Sequence, residues 1–470
     1  MKYVTRWLSV LCLSWVATQG NAEDLLEVYQ AAQTNDAALR AARAGYAAVE
    51  QTVPQARSAL LPSLAAGVQT TWNERQFPGS AVADPTSPLF GAEVPDQEFN
   101  DHGWSAQLRQ PIVNVESWFN LSSAKAAVSA ASYDLQAAEQ DLILRVAQAY
   151  LNVLRAQDLL DSTSAEEAAV KRQLEQVQQR FDVGLVAITD VLESQAAYDA
   201  AEVRRIQAYG DHDIFFESLG TLTGISYERL NRLSQQLPIV NPNPRDEAVW
   251  VDEAMQANLN ILAAQAQLSA ASRTVRARAS GHLPTLDATV TQAHSVTGAP
   301  NFFGADTADT TIYGLQFNMP LYSGGLVRAR TKEASARKRQ AEELLLNQRR
   351  TVTRDVRNLY QAVATDVVRV KARLRGIESA RSALDATQTG YEVGTRNIVD
   401  VLQAQQLLFR SQFDYADSRY NYVLDLLALK DAAGALVSAD LEELNTFTDA
   451  KDQVIRQVTL QQYLADPTAQ

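Results

Sequence analysis

The chain has 470 residues, a single cysteine, and 42 Lys and Arg against 55 Asp and Glu, a net charge of −13. Such an acidic total argues against nucleic acid as a partner and against binding anionic lipid by charge alone, and one cysteine leaves no intrachain disulfide. No segment reaches the 18 consecutive apolar residues of a transmembrane helix.

At the start, Lys2 and Arg6 precede the apolar run "WLSVLCLSWVA" (7–17) and the small residues Gly20 and Ala22. This pattern predicts a cleavable signal peptide over 1–22, cut after Ala22. Cleavage removes Cys12 and leaves 40 basic and 55 acidic residues, a net charge of −15. An exported chain without a transmembrane helix either stays in solution beyond the inner membrane or enters a membrane as β-structure.

The mature chain states one design twice. Residues 181–224 and 391–434 align without a gap at an offset of 210, with Val183/Val393, Gly184/Gly394, Ile188/Ile398, Asp190/Asp400, Val191/Val401 and Leu192/Leu402 coinciding. Upstream, "SALLPSLAAGVQTTW" (58–72) matches "SGHLPTLDATVTQAH" (280–294), and "AQLRQPIVNV" (106–115) matches "LQFNMPLYSG" (315–324). Each repeat therefore reads helix, strand, loop, strand, long helix, glycine turn, long helix. The expected division is a first repeat at 23–236, a Pro/Asn-rich link at 237–248, a second repeat at 249–436 and a C-terminal segment at 437–470.

In chain order, the strand pattern comes first. Leu64, Ala66, Val68 and Trp72 alternate with polar or small residues, as do Trp104, Ala106, Leu108 and Ile112. The second repeat does the same at Leu286, Ala288 and Val290, then at Tyr313, Leu315, Phe317, Met319 and Leu321. One face is apolar in all four, over spans of 63–72, 104–112, 286–292 and 312–321. A half-buried soluble sheet has the same alternation. The loops favour a membrane barrel: 73–103 and 295–310 are long, polar and Pro/Gly-rich, whereas the opposite strand ends run straight into helices. Trp72, Phe77, Phe99 and Trp104 at one side, with Trp118, Phe119 and Tyr322 at the other, suit two interfacial girdles.

Long alanine-rich helices follow. Leu142, Val146, Ala149, Val153, Ala156 and Leu160 step by fours and threes, as do Val352, Val356, Leu359, Val363, Val367, Val370, Leu374 and Ile377 with one extra four. No proline interrupts 112–237, and a helix over 116–181 would extend roughly 100 Å. Seams alone fit a soluble periplasmic coiled-coil adaptor or scaffold equally well. Four strands per chain cannot close a barrel, and an open edge does not survive in lipid. Several copies must share one; three would give twelve strands, and two or four would also close.

Taken together, "ARSALLPSL" (56–64), "RFDVGLVAITDV" (180–191), "GHLPTLD" (281–287), "PLYSGG" (320–325), "GYEVGTRNIVDVL" (390–402) and "SRYNYVLDLLALKDAAGAL" (418–436) resemble the TolC family of trimeric outer-membrane channel-tunnels. The resemblance covers nearly all of the mature chain. It implies a mixed α and β fold: a tandem duplicated, long α-helical coiled-coil tunnel in the periplasm, with four strands per chain in a shared trimeric 12-stranded transmembrane β-barrel. It also implies a belt built around 225–250 and 437–470, and work as a homotrimer with a periplasmic adaptor and an inner-membrane ABC or proton-driven pump. The exported cargo is then small molecules or secreted proteins.

No catalytic constellation competes. His102, His212, His282 and His294 are scattered without metal-ligand spacing, and "SGGLVR" (323–328) lacks the Walker spacing. No enzyme, cofactor or metal is expected.

The duplicated turn carries the remaining chemistry. Gly184 and Gly394 each end a long helix, where glycine takes the left-handed conformation at little cost. Asp190 and Asp400 fall near the start of the returning helix, where acidic side chains are favoured. A well-made helical hairpin accounts for both. Beyond it, the tip "GLVAI" (184–188) presents apolar residues where an exposed turn should be polar, which suits a docking partner at the two tips, Val183, Gly184, Leu185 and Val393, Gly394, Thr395. Tyr391 and Arg396 stand where the first copy has Phe181 and Val186. The resemblance implies that Arg396 and Tyr391 bond to Asp190 and Thr189 and hold the periplasmic entrance shut. It also implies an acidic constriction at Asp400 and one turn later. Here that later position is Gln403, with Glu193 at the matching place of the first repeat, so a weaker cation preference is expected.

Overall fold

The computed structural model describes residues 23–456, apart from 79–80, 82–84, 87, 89, 93–95, 235 and 300–305. The expected signal segment 1–22 and the tail 457–470 lie outside the described residues.

Proline-free, alanine-rich sequence becomes long helix. The repeat is visible in element lengths: α4 (Val115–Asp182, 68 residues) and α5 (Ile188–Thr223, 36 residues) are matched by α8 (Leu326–Glu392, 67 residues) and α9 (Ile398–Ala433, 36 residues). Shorter elements complete each copy. In the first these are α1 (Leu25–Asn35), α2 (Ala37–Glu50), α3 (Thr52–Ser58), β1 (Ser63–Arg75), β2 (Gln97–Val113) and β3 (Arg229–Leu233). In the second they are α6 (Glu247–Ala257), α7 (Leu259–Ala279), β4 (Thr285–Thr297), β5 (Thr307–Asn318), α10 (Ser438–Asn445) and β6 (Thr448–Ile455). No helix among the described residues is long and apolar enough to cross a membrane.

The chain divides into two compact units, and these are not the two repeats. One takes residues up to Arg43, Leu135–Leu259 and Arg349 onward; the other takes Ala44–Asp134 and Asn260–Gln348. Each draws elements from both copies.

The second of these units holds the four-stranded antiparallel sheet, in the order β1-β2-β4-β5. Its register places Leu64 opposite Leu108, Leu108 opposite Val290 and Val290 opposite Tyr313, so the apolar positions form rows across one face. That face is uncovered: Leu64 is 74 % exposed, Val68 88 % and Tyr313 78 %. A sheet in water buries its apolar face, so these residues need another solvent. On the opposite face Arg109 pairs with the buried Asp287 at 2.9 Å. Around the sheet, α4 and α7 join through Arg278–Glu116 at 2.7 Å and the Ser123–Thr274 hydroxyl pair at 2.9 Å.

The strands outrun their apolar pattern. They span 13, 17, 13 and 12 residues, taking in parts of 73–103 and 295–310 that read as loop. Backbone pairing continues from Thr71–Arg75 to Gln97–Asp101 on polar side-chain contacts such as Asn73 Nδ2 to Asp101 at 2.9 Å. A ladder needs backbone donors and acceptors, and only its position in lipid needs apolar side chains. At the other end β5 stops at Asn318, short of Leu321, because Pro320 has no N–H for the ladder. Trp118 and Phe119 fall in the opening turns of α4.

In the first unit, β3 and β6 pair antiparallel, and Glu23 bridges to Leu230 beside them. Polar side chains tie this small sheet to the helices. Tyr150 Oη donates to the Asn231 carbonyl at 2.5 Å, Arg232 pairs with Asp161 at 2.7 Å, and Tyr420 donates to Asp158 at 2.6 Å. The helical seams behave as read at Leu142, Val146, Val153, Ala156, Leu160, Val352, Val356, Val363, Val367 and Val370, all buried. Leu374 departs: it is 54 % exposed and lines an open cleft with Ile377, Asp158 and Arg232. Helices joined to a small sheet cannot keep one seam facing one neighbour along their whole length.

Candidate functional site

The hairpin tips build the same backbone twice. At the end of α4 the Leu185 N–H donates to the Arg180 carbonyl at 2.8 Å and the Gly184 N–H to that of Phe181 at 2.8 Å. At the end of α8 the Thr395 N–H donates to Gly390 at 2.8 Å and the Gly394 N–H to Tyr391 at 3.1 Å. This is the Schellman pattern, and it needs a left-handed residue; Gly184 and Gly394 both have φ +79°. Asp190 and Asp400 lie in the first turns of α5 and α9, where the helix dipole favours an acidic side chain.

Around this shared frame the capping differs. The Asn397 side chain accepts the Asp400 N–H at 2.8 Å, whereas Ala187, at the matching position, offers none. Asn397 was legible in the sequence as an asparagine directly before an apolar-periodic run.

The two tips pack together over one apolar cluster. Val170, Val177, Val191, Ile398, Val401 and Leu402 form its buried core, with Phe181, Val186 and Tyr391 against it. Tyr391 lays its ring there, with the Arg180 guanidinium 5.3 Å from the ring centroid. Its hydroxyl is buried and has no hydrogen-bond partner among the described residues. Arg396 is more open, 61 % exposed, with its Nη1 3.7 Å from Asp400 one turn along. Thr189 Oγ1 approaches Asp190 at 3.4 Å. Within one chain, then, Arg396 is beside Asp400, and Thr189 beside Asp190; neither Arg396 nor Tyr391 meets Asp190 or Thr189.

Glu193 and Gln403, from different hairpins, are both exposed and line one cleft of about 330 Å³ with Glu166, Arg204 and Leu402. Arg204 is held by Glu166 at 2.7 Å. Asp400 is half-buried and outside that lining. The tip residues expected to dock a partner are open to solvent: Val183 is 71 % exposed, Leu185 74 % and Val393 70 %, and Gly184, Gly394 and Thr395 are exposed with them.

Along the shaft of the second hairpin, Asp366 of α8 is fully buried. Burial, and then the Asp425 carboxyl of α9, push its pKa up to about 6, against the opposing pull of Arg369 at 2.7 Å. Sequence reasoning missed this pair, since both aspartates read as ordinary polar positions of an amphipathic helix.

Comparisons with known proteins agree with this geometry. The family described as "Outer membrane efflux protein" matches residues 28–225 and 250–435. The outer membrane protein TolC of Escherichia coli is 34 % identical over 95 % of this chain and 89 % of its own length. The alkaline protease secretion protein AprF of Pseudomonas aeruginosa is 26 % identical over 94 % of this chain and 91 % of its own. In fold, the chain is similar to the outer membrane protein VceC of Vibrio cholerae, with a TM-score of 0.72 and 17 % identity over 88 % of this chain and 96 % of that one. Repeat, exposed apolar strand face and sequence match converge: the chain, an export channel of the outer membrane that reaches into the periplasm, belongs to the outer membrane efflux protein family.

Proposed function

We propose that the chain works as a homotrimeric exit duct without chemistry of its own, taking cargo from an inner-membrane pump, ABC-type or proton-driven, through a periplasmic adaptor. The observation that carries this is the sheet. Among the described residues its order leaves β1 and β5 as free edges beside an uncovered apolar face. In lipid each edge needs a partner strand, and a neighbouring copy supplies it. Three copies make twelve strands, wide enough for a pore. On this reading the repeats at 23–236 and 249–436 each contribute one strand hairpin and one helical hairpin.

The helical tips form the periplasmic gate. Arg396 and the unpartnered Tyr391 hydroxyl latch onto Asp190 and Thr189 of an adjacent hairpin, and Asp400 with Glu193 supplies negative charge at the constriction beside neutral Gln403. Exposed ion pairs are worth about 0–1 kcal/mol each, so such a latch holds yet opens when a pump complex engages. Val183, Leu185 and Val393 dock the adaptor. The family name points to efflux and the AprF name to protease secretion, so small molecules and proteins are the two cargo classes.

Fractionation tests the assembly: the channel should remain in the sarkosyl-insoluble outer membrane and migrate as a heat-modifiable trimer. A soluble monomer would instead identify a periplasmic scaffold.

A further inference from the structure

The tips differ most consequentially at one matched position. Arg180 in the first repeat corresponds to Gly390, 210 residues later. In both copies this residue's carbonyl closes the turn; that of Gly390 accepts the Thr395 N–H at 2.8 Å, the Arg396 N–H at 3.2 Å and the Thr395 hydroxyl at 3.0 Å. The backbone role is shared, and the side chains divide.

Arg180 is half-buried and makes no ion pair among the described residues; its guanidinium lies over the Tyr391 ring. A partly desolvated cation on an aromatic face is attracted to the ring quadrupole, so the contact holds one hairpin to the other. Gly390 does the opposite: it leaves a space. A Cβ there would stand 2.8 Å from Cγ of Arg396 and 3.3 Å from Oγ1 of Thr395. Gly390 lies in the last turn of α8, in ordinary helical backbone, so no unusual torsion explains a glycine. Alanine would be the better helix former. What the glycine supplies is room for the Arg396 side chain.

We propose that Arg180 and Gly390 are the positioning residues of the gate: Arg180 clamps the Tyr391 ring, and Gly390 is the seat over which Arg396 folds. The proposal rests on the latch reading above. One position, duplicated, thereby sets both halves of the bolt. An arginine kept at 390 would fill the space that Arg396 occupies.

The test uses the purified full-length channel in planar bilayers. Gly390→Ala displaces Cγ of Arg396 and presses on Oγ1 of Thr395 without forcing an unusual torsion, so the trimer should still assemble while conductance rises about fivefold, the effect of losing a weak latch. Arg396→Ser should give the same rise, and the double variant no further one. Unchanged conductance in Gly390→Ala beside a rise in Arg396→Ser, or a further rise in the double variant, overturns the seat and leaves the latch standing. Unchanged conductance in Arg396→Ser overturns the latch itself. For the clamp, Arg180→Gln should raise conductance and Arg180→Lys, which keeps the cation, should not. A rise in both or in neither overturns the clamp even where Gly390→Ala fails to assemble.

Discussion

The two hairpin tips share a backbone and differ in what they carry. Both close with the same pair of hydrogen bonds and a glycine at φ +79°. Yet Val186, Phe181 and Arg180 of the first copy stand opposite Arg396, Tyr391 and Gly390 of the second. Duplication supplies a reliable turn, and divergence within that turn leaves Arg396 and Tyr391 on one tip and Thr189 with Asp190 on the other.

The largest expected effects fall on what the tips share. Gly184→Val and Gly394→Val each force a β-branched residue to a positive φ and should destabilise by about 2 kcal/mol, equally in the two copies, as read from thermal unfolding in detergent. Unequal losses would show that the turns are not equivalent.

Next in size is an asymmetry on the shafts. Asp366, with a folded pKa of about 6 against the usual 3.8, binds its proton more tightly when folded. The stability it contributes is complete below pH 3.8 and is lost as pH rises through about 6. Asp366→Asn should therefore flatten the stability profile between these values and stabilise the channel at neutral pH by on the order of 1–3 kcal/mol. The matching position of the first repeat is Ala156, already buried and neutral, so Ala156→Gly should leave the pH profile unchanged. A pH profile unaltered by Asp366→Asn would place the proton elsewhere.

A matched pair of substitutions sharpens the difference between the tips. Arg396→Ser should raise conductance about fivefold, whereas Val186→Ser, the same position of the other copy, should leave it within about twofold. Equal effects would mean that the gate does not use the asymmetry.

The smallest effect concerns charge. Glu193→Gln should reduce the cation preference of the pore and Gln403→Glu should increase it, each modestly, because exposed charges are screened by salt. Reversal potentials in a salt gradient give the answer, and no change in either would remove both residues from the conduction path.

What the sequence made legible was whatever follows from a period or a turn. The alternation at Leu64, Ala66 and Val68, the seam through Val146 and Val153, and the glycines at 184 and 394 are local patterns with local causes. Strand ends were misjudged because Thr71–Arg75 pairs with Gln97–Asp101 through backbone bonds that leave no hydrophobic signature. The Asn397 cap was readable but outweighed by its neighbour Asp400. Leu374, the Arg180–Tyr391 contact and the Asp366–Asp425 pair depend on which helices become neighbours, and one helix's pattern does not contain that information. Gly390 was hidden for a different reason: a helical glycine shows its purpose only when the side chain occupying its space is seen.

Planar-bilayer recording of the purified, heat-modifiable assembly tests the channel most directly. Discrete steps of small, cation-preferring conductance that enlarge on Arg396→Ser are the expected result. A preparation that inserts no conducting unit, or one equally permeable to Na⁺ and Cl⁻ and indifferent to Arg396, would contradict it.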